Sequence, residues 1–171
     1  LIEVVFLDGC TIHRIGEGAF CRCRNLQRIK LPEGLKFMGP AAFRDCSSLI
    51  EILIPSTVAA IGSHCFSYCD SLRRVRFADS VTAVELNVHA FNNCVELRSV
   101  QLPRNLSIIP HYCFSGCIAL VKVPIPVAVR EIQSYSFSDC KSLESIDLSE
   151  NIIIIEDKAY AGCAALQKVT I

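Results

Sequence analysis

Cysteine is the residue of this chain with the clearest chemical potential, because it recurs at a fixed interval. The sequence has 11 cysteines among 171 residues. Seven of them form a column with a spacing of about 23 residues, namely Cys23, Cys46, Cys69, Cys94, Cys117, Cys140 and Cys163. If the chain coils with that period, neighbouring thiols lie about 5 Å apart, which is close enough for a disulfide ladder or for shared metal ligation.

Two features of the cysteine spacing favour buried free thiols instead. No pair has the C-x-x-C spacing of a zinc knuckle. Thiols in an in-register column point the same way, and free cysteine packs as a small apolar side chain. We therefore expect no metal site, and free thiols favour a reducing, intracellular compartment, with the cell surface as the alternative. Cys10 and Cys21 lie outside the column and are expected to be the most exposed thiols.

A second recurrent set combines histidine with tyrosine. His64 and His89 stand two residues before successive aromatics, and Tyr112 and Tyr135 take that place in the next two repeats. Stacked imidazoles can bind a metal or an anion. The sequence favours the simpler interpretation, an exposed polar-aromatic row on the convex side of a coil.

Catalytic motifs are absent from the sequence. The stretch from Ile15 to Ala19 contains one Gly-x-Gly, but it lacks the third glycine of a phosphate-binding loop. No signature of a serine–histidine–aspartate triad occurs. We expect a protein that is not an enzyme and that uses no cofactor.

The residues that position these side chains form an internal repeat, which is the main signal of the sequence. The aromatic column is Phe20, Phe43, Phe66, Phe91, Phe114, Phe137 and Tyr160, with steps of 23 residues except for one of 25. A leucine column follows, and then come four further apolar columns: Ile29/Ile52/Val75/Val100/Val123/Ile146/Val169, Leu31/Ile54/Phe77/Leu102/Ile125/Leu148/Ile171, Leu35/Val58/Val81/Leu106/Val129/Ile152 and Met38/Ile61/Val84/Ile109/Ile132/Ile155. The aromatics are expected to form one unbroken spine.

Each repeat predicts three short elements. Alternating apolar residues predict a strand with one buried face, often ended by proline. A second short extended piece follows, with glycine after it at Gly16, Gly39 and Gly62. The small–aromatic–x–x–Cys–x–x–Leu stretch has helical spacing, enough for one or two turns.

Composition limits the alternatives. Apolar residues make up 51% of the chain, yet no run approaches the roughly 20 residues of a membrane span. Lys+Arg and Asp+Glu balance at 17 each, so bulk charge does not favour nucleic acid. Stacking of repeats buries the apolar content. We predict one domain over 1–171: an α/β, mostly β, right-handed leucine-rich-repeat coil of about seven turns, with one parallel sheet on its concave face. Neither end has a polar cap, so we expect a fragment of a longer array.

The repeat resembles the BspA-type class of leucine-rich repeats. The stretch from Leu49 to Pro55, followed by Val58, Ile61-Gly62, Cys65-Phe66, Cys69 and Leu72, matches the class consensus closely. Members are often surface or secreted proteins that bind host or matrix proteins, and the resemblance implies such a role here. Departures from the consensus are Glu85, Pro110, Gln133 and Glu156 in place of glycine, and Ala78 and Ser149 in place of proline.

The best functional signal is a set of basic residues beside the buried strand positions. In 26–125 these are Arg28, Lys30, Arg73, Arg74, Arg76, Arg98 and Lys122, with Glu51 the one acid. They predict a basic concave surface that binds a protein partner, and an acidic partner would complement its charge. Charged residues also serve simply to solvate a strand face, and both interpretations remain open. A structural subunit gripped at its uncapped ends and a surface adhesin for matrix protein or glycan are the alternative functions.

Two other features of the sequence bear on this surface. Pro124 breaks the donor pattern of its strand and is expected to shape the edge of the basic patch. The 25-residue repeat carries two extra residues, which we place in a bulge near Glu85 to Val88. Such a bulge is a second candidate contact, although a tolerated loop insertion is the favoured interpretation.

Overall fold

Two columns of short parallel strands run the length of the chain. The computed structural model describes residues 1–7, 9–79 and 84–170. The strands are β1 (Glu3–Val5), β2 (Arg14–Ile15), β3 (Arg28–Lys30), β4 (Phe37–Met38), β5 (Glu51–Ile54), β6 (Ala60–Ile61), β7 (Arg74–Phe77), β8 (Glu85–Leu86), β9 (Ser99–Gln101), β10 (Ile108–Ile109), β11 (Glu131–Ile132), β12 (Ser145–Asp147), β13 (Ile154–Ile155) and β14 (Lys168–Thr170). The fold is a mostly β parallel solenoid of about seven turns, which confirms the predicted class.

Each turn contributes one short strand to each column, except that the turn with Lys122 contributes only isolated bridges to one of them. We call the column of β1, β3, β5, β7, β9, β12 and β14 the first ladder, and the remaining strands the second ladder. Every pairing is parallel. Burial alternates along the strands, as Glu51–Ile54 and Arg74–Phe77 show. The alternation follows from the period of two in a strand, which sends one set of side chains inward.

The segment between the second and first ladders is built from turns, and the helical turns predicted from its spacing are wrong. Within the described residues this segment holds no helix. Two positions in each turn, two residues before and two after the aromatic, have left-handed backbone. Non-glycine examples are His64, Tyr68, His89 and Asn93, with φ of 57–61°. Left-handed residues four apart cannot continue a right-handed helix, whereas they reverse the chain tightly.

The aromatic column forms the predicted unbroken spine. Successive rings from Phe20 to Tyr160 stack with centroids 5.2–5.5 Å apart and interplanar angles of 1–12°. The five rings Phe43, Phe66, Phe91, Phe114 and Phe137 are fully buried. Because each ring contacts its counterparts in the turns on both sides, the turns share a single interior.

The cysteine column has a structural role beside this spine. From Cys46 onward, each column thiol points at the carbonyl oxygen of an aromatic, as Cys94 does to Phe66 at 3.1 Å and Cys117 does to Phe91 at 3.3 Å. The thiol thus adds a second hydrogen bond to a carbonyl that already accepts one from a backbone N–H of its own turn, as Phe66 O does from Cys69 N. The small volume of the thiol also fits the interior. The prediction of buried column thiols is confirmed from Cys46 to Cys140, whereas Cys23 and Cys163 are half-buried.

The position of the two extra residues was predicted wrongly. Glu85 and Leu86 form β8 and pair in register with Ala60 and Ile61. Ile54 pairs with Phe77 at the ordinary interval of 23, so the extra residues lie between Phe77 and Glu85. An alignment of this repeat on its aromatic residue, without a gap, does not show where the two extra residues are inserted.

This register corrects two columns. Leu86, and not Val84, takes the place after Ile61 in its column. Asn87, and not Glu85, replaces the turn glycine, because its N–H donates to Ile61 O as that of Gly62 donates to Met38 O. Two predicted core residues, Val81 and Ile171, lie outside the described residues.

The turn after the second ladder changes its chemistry along the chain. In early repeats glycine permits a close approach: an added Cβ at Gly62 would meet Pro40 N at 2.5 Å and Gly39 C at 2.6 Å. In later repeats a polar side chain bonds to the turn before it. Gln133 accepts a hydrogen bond from His111 N at 3.2 Å, and Glu156 accepts one from Ser134 N at 2.8 Å.

Candidate binding surface

The predicted basic residues occupy one face of the first ladder. Arg28 and Lys30 lie on β3, and Arg74 and Arg76 lie on β7, all four with exposed side chains that alternate with buried neighbours. Arg73, Arg98 and Lys122 are exposed beside the same ladder. We call the outward side of the first ladder that carries these seven residues the basic face. The structure therefore brings all seven onto one surface.

Strand register arranges this surface in rows. Glu51 pairs with Arg74, which pairs with Ser99, and an isolated bridge joins Ser99 to Lys122. A parallel row places Leu53 beside Arg76. Neighbouring side chains in a row are separated by one strand spacing, about 4.8 Å.

Carboxylates neutralise more of the basic face than the sequence indicated. Arg73 Nε and Arg98 Nη2 both approach Glu96 Oε2, at 3.6 and 3.8 Å. The interpretation of Glu51 as the one acid considered strand positions alone, and Glu96 comes from the turn that precedes β9. Only the folded turn brings it over the two guanidinium groups.

Two further ion pairs complete the pattern. Arg74 lies 3.8 Å from Glu51, and Lys122 Nζ lies 3.0 Å from Asp147 Oδ2. Across the described residues, Arg28, Lys30 and Arg76 have no carboxylate within 4.0 Å.

A shallow groove of about 250 Å³ opens beside two of these unpaired cations, Lys30 and Arg76. Its lining includes Lys30, Glu33, Leu53, Pro55 and Arg76. Leu53 is 50% exposed, although strand neighbours flank it on both sides. The groove thus combines two unpaired cations and two carboxylates, Glu33 and Glu51, with an apolar centre.

The ladder is interrupted at the proline that was expected to shape its edge. The fifth turn contributes only Lys122, through isolated bridges to Ser99 and Ser145. Pro124 has no N–H to donate, and this accounts for the missing strand. The row of outward residues nevertheless continues beyond this turn, because Lys122 bridges to Ser145, which pairs with Lys168.

The histidine–tyrosine row forms a second, separate stack. The ring centroids of His64 and His89 are 4.3 Å apart, those of His89 and Tyr112 are 4.6 Å apart, and those of Tyr112 and Tyr135 are 4.8 Å apart. Parallel rings direct their nitrogen lone pairs parallel to each other, so two such imidazoles do not converge on one metal ion. In the described ranges no three of His, Cys, Asp and Glu form a cluster that suits a metal.

Protonation of the two histidines is disfavoured in the folded chain. Burial lowers the pKa of His64, and the nearby Arg44 adds to the effect. Burial also lowers the pKa of His89, with contributions from His64 and His111. The folded chain therefore favours the neutral form of both imidazoles.

We predict a loss of stability between pH 7 and 5. Both histidines have a pKa below the ordinary value near 6.5 when folded, so the unfolded chain binds more protons as the pH falls. Their contribution is present above about pH 6.5 and is lost as the pH drops through the folded pKa values. Urea unfolding at pH 7.5 and 5.5 measures it, and His64→Tyr/His89→Tyr serves as the control because tyrosine already occupies this left-handed position in Tyr112 and Tyr135. An equal pH slope in this variant would contradict the assignment.

The thiols give a second prediction, on reactivity. Burial raises the pKa of Cys46 and of Cys94 to about 12, so neither is a thiolate near neutral pH. We expect iodoacetamide to modify the native protein only at the half-buried thiols, which are Cys10, Cys21, Cys23 and Cys163. The seven buried thiols should react after urea is added. Peptide mass spectrometry reads out the sites, and rapid native labelling of Cys94 would contradict the packing.

The family relationship follows from the repeat itself. A family model described as BspA type leucine rich repeat region, in 6 copies, matches residues 2–88 and 84–171. The chain belongs to this family. No curated protein matches it. The family and its fold are typically non-catalytic. Within the described ranges, the chain has no helix long and apolar enough to cross a membrane.

Solved structures of bacterial repeat proteins are similar to this member of the BspA-type family. A leucine-rich repeat protein of T. pallidum is 31% identical over 99% of this chain and 69% of its own, with a TM-score of 0.62. One from Eubacterium ventriosum is 27% identical over 89% of this chain and 43% of its own, with a TM-score of 0.77. A protein of Faecalibacterium prausnitzii, 22% identical over 99% of this chain and 59% of its own, shares the fold with a TM-score of 0.69. The chain thus spans about half the length of the last two.

Proposed function

We propose that the protein is a non-catalytic interaction scaffold that binds an acidic protein partner on the basic face. The observation that carries the proposal is the concentration of seven cations on one side of the first ladder in a chain of zero net charge. Membership of a leucine-rich-repeat family supports a role in protein interaction generally. A partner with complementary charge would be steered to this face and oriented on it.

Apolar content on the same face supports a macromolecular partner over solvation alone. Ile50, Leu53 and Val121 are exposed there, between 42% and 50%. A strand face that only has to be solvated gains nothing from exposed leucine and isoleucine, whereas interfaces combine apolar contacts with arginine.

The experiment compares capture of the partner by the wild type and by Arg73→Glu/Arg76→Glu, followed by cross-linking to locate the contact. We expect at least a tenfold loss of capture, since charge reversal converts attraction into repulsion. Arg22→Glu/Arg104→Glu is a suitable control, because both residues are exposed and neither belongs to the basic face. Undiminished capture by the first variant would defeat the proposal.

A second candidate is a role at the cell surface. It is favoured by the similar protein of Faecalibacterium prausnitzii, which is described as a leucine rich cell surface protein. Labelling of intact source cells with a reagent that does not cross membranes would test it. Labelling of the protein supports the surface role, whereas labelling only after lysis contradicts it.

A further inference from the structure

Ion pairing divides the basic face into two parts, which differ in the free energy that a partner carboxylate gains by binding there. At Arg73 and Arg98 an incoming carboxylate competes with Glu96, which both side chains already approach. Exchange of one exposed ion pair for another gains little free energy. At Lys30 and Arg76 no carboxylate of the described residues has to be displaced, so a partner carboxylate adds a new attraction there.

The unpaired part also has an apolar anchor at its centre. Leu53 is half exposed, and Pro55 and Ala78 line the same groove. Of the two carboxylates in the groove, Glu51 lies 3.8 Å from Arg74 and Glu33 follows the end of β3. An apolar side chain that covers Leu53 removes apolar surface from water between the two unpaired cations.

The strand register fixes the spacing of these three groups. Leu53 pairs with Arg76, and the hydrogen bond from Ile50 N to Gln27 O aligns β5 with β3, which sets Lys30 on the other side of Leu53. Each step is one strand spacing, so the Cα atoms of Lys30 and Arg76 stand about 10 Å apart with Leu53 midway.

A helix that crosses the strands matches this spacing. Residues seven apart on one helix face are separated by about 10.5 Å along the axis, and the fourth residue between them lies near the middle of that face. Side chains on one face of an extended segment recur about every 6.8 Å, which matches neither the distance of one strand spacing from Lys30 to Leu53 nor the separation of about 10 Å between Lys30 and Arg76.

We propose that the groove around Leu53 docks an acidic amphipathic α-helix of a protein partner, laid across the first ladder. Two carboxylates seven residues apart meet Lys30 and Arg76, and an apolar side chain between them covers Leu53. This assignment rests on the proposed function, because it names the segment of the partner that the basic face receives.

The probe is a synthetic helical peptide of about 20 residues with Glu, Leu and Glu at positions i, i+4 and i+7 and a neutral, alanine-rich remainder, long enough to be helical in water. Fluorescence anisotropy at low salt measures its Kd with three forms of the full chain. Lys30→Gln/Arg76→Gln is expected to weaken binding roughly tenfold, and Arg73→Gln/Arg98→Gln less than about threefold. Both variants remove two positive charges, so long-range attraction falls equally in both.

Each remaining outcome is decisive. An equal loss of peptide affinity in the two variants would show that only the overall positive charge of the basic face attracts the peptide, and it would overturn the groove assignment. Equal binding of a peptide with the same composition but with its glutamates and leucine on different faces would overturn the helical mode. If the probe fails to bind while capture of the natural partner still depends on Arg73 and Arg76, the helix is wrong and the proposed function stands. If capture is also independent of those residues, the proposed function itself fails.

Discussion

The variant Phe91→Ala is expected to lose roughly 3–5 kcal/mol of unfolding free energy, the usual cost of emptying a buried aromatic site. Phe91 is fully buried and stacks on Phe66 at 5.3 Å and on Phe114 at 5.5 Å. A solenoid is held together by contacts between neighbouring turns, so a cavity in mid-spine weakens the interfaces on both sides. Such a loss is a large part of the 5–15 kcal/mol that stabilises a typical domain. Urea unfolding followed by circular dichroism measures it.

The matched control is Phe37→Ala, the same chemical change at a phenylalanine that is 49% exposed. We expect less than about 1 kcal/mol there, because little apolar surface returns to water. Similar losses in the two variants would show that the aromatic column does not carry the fold. A loss below about 1 kcal/mol at Phe91 would have the same meaning.

Gly62→Ala is expected to cost roughly 1–3 kcal/mol, as overpacking usually does. The added Cβ would stand 2.5 Å from Pro40 N and 2.6 Å from Gly39 C. These are backbone atoms of the preceding turn, so one turn has to shift against the other instead of rotating a side chain. Thermal or urea unfolding reports the change.

Gly16→Ala tests the same column position without the contact. A Cβ at Gly16 meets nothing within 4 Å, so alanine there is expected to be neutral or to stabilise by about 0.4–1 kcal/mol through the unfolded chain. Equal losses at Gly16 and Gly62 would contradict the close-approach explanation and would indicate a requirement of the glycine backbone itself.

The sequence predicted the side chains that repeat, and it was weaker where the backbone decides. The Phe and Cys columns were found because burial in a shared interior allows few residue types. The segment between the ladders was predicted to be helical because its recurring residues stand at intervals of three. That spacing occurs both in helices and in successive tight turns, so it does not distinguish between them. The left-handed backbone of His64 and Tyr68 cannot be recognised from their residue types, since glycine and asparagine are the residues that ordinarily adopt this conformation.

The candidate site divides in the same way. All seven cations could be named from the sequence, because they occupy variable positions in and beside the strands, between the columns of buried residues. Their pairing could not, because Glu96 reaches Arg73 and Arg98 only through the turn before β9. The two extra residues were misplaced for a related reason: their position is set by which residues pair across strands, as Glu85 does with Ala60.

The sequence by itself determined the period, the interior and the outward positions of this protein. Those properties are periodic, so the same pattern occurs in each of the seven turns. A residue that departs from the pattern in one turn does not hide it, because the other turns show it. Only the tertiary structure decided which cations remain unpaired, where the inserted residues lie and how the histidines stack. These depend on contacts between particular side chains of different turns, and a pattern within one repeat carries no record of such distances.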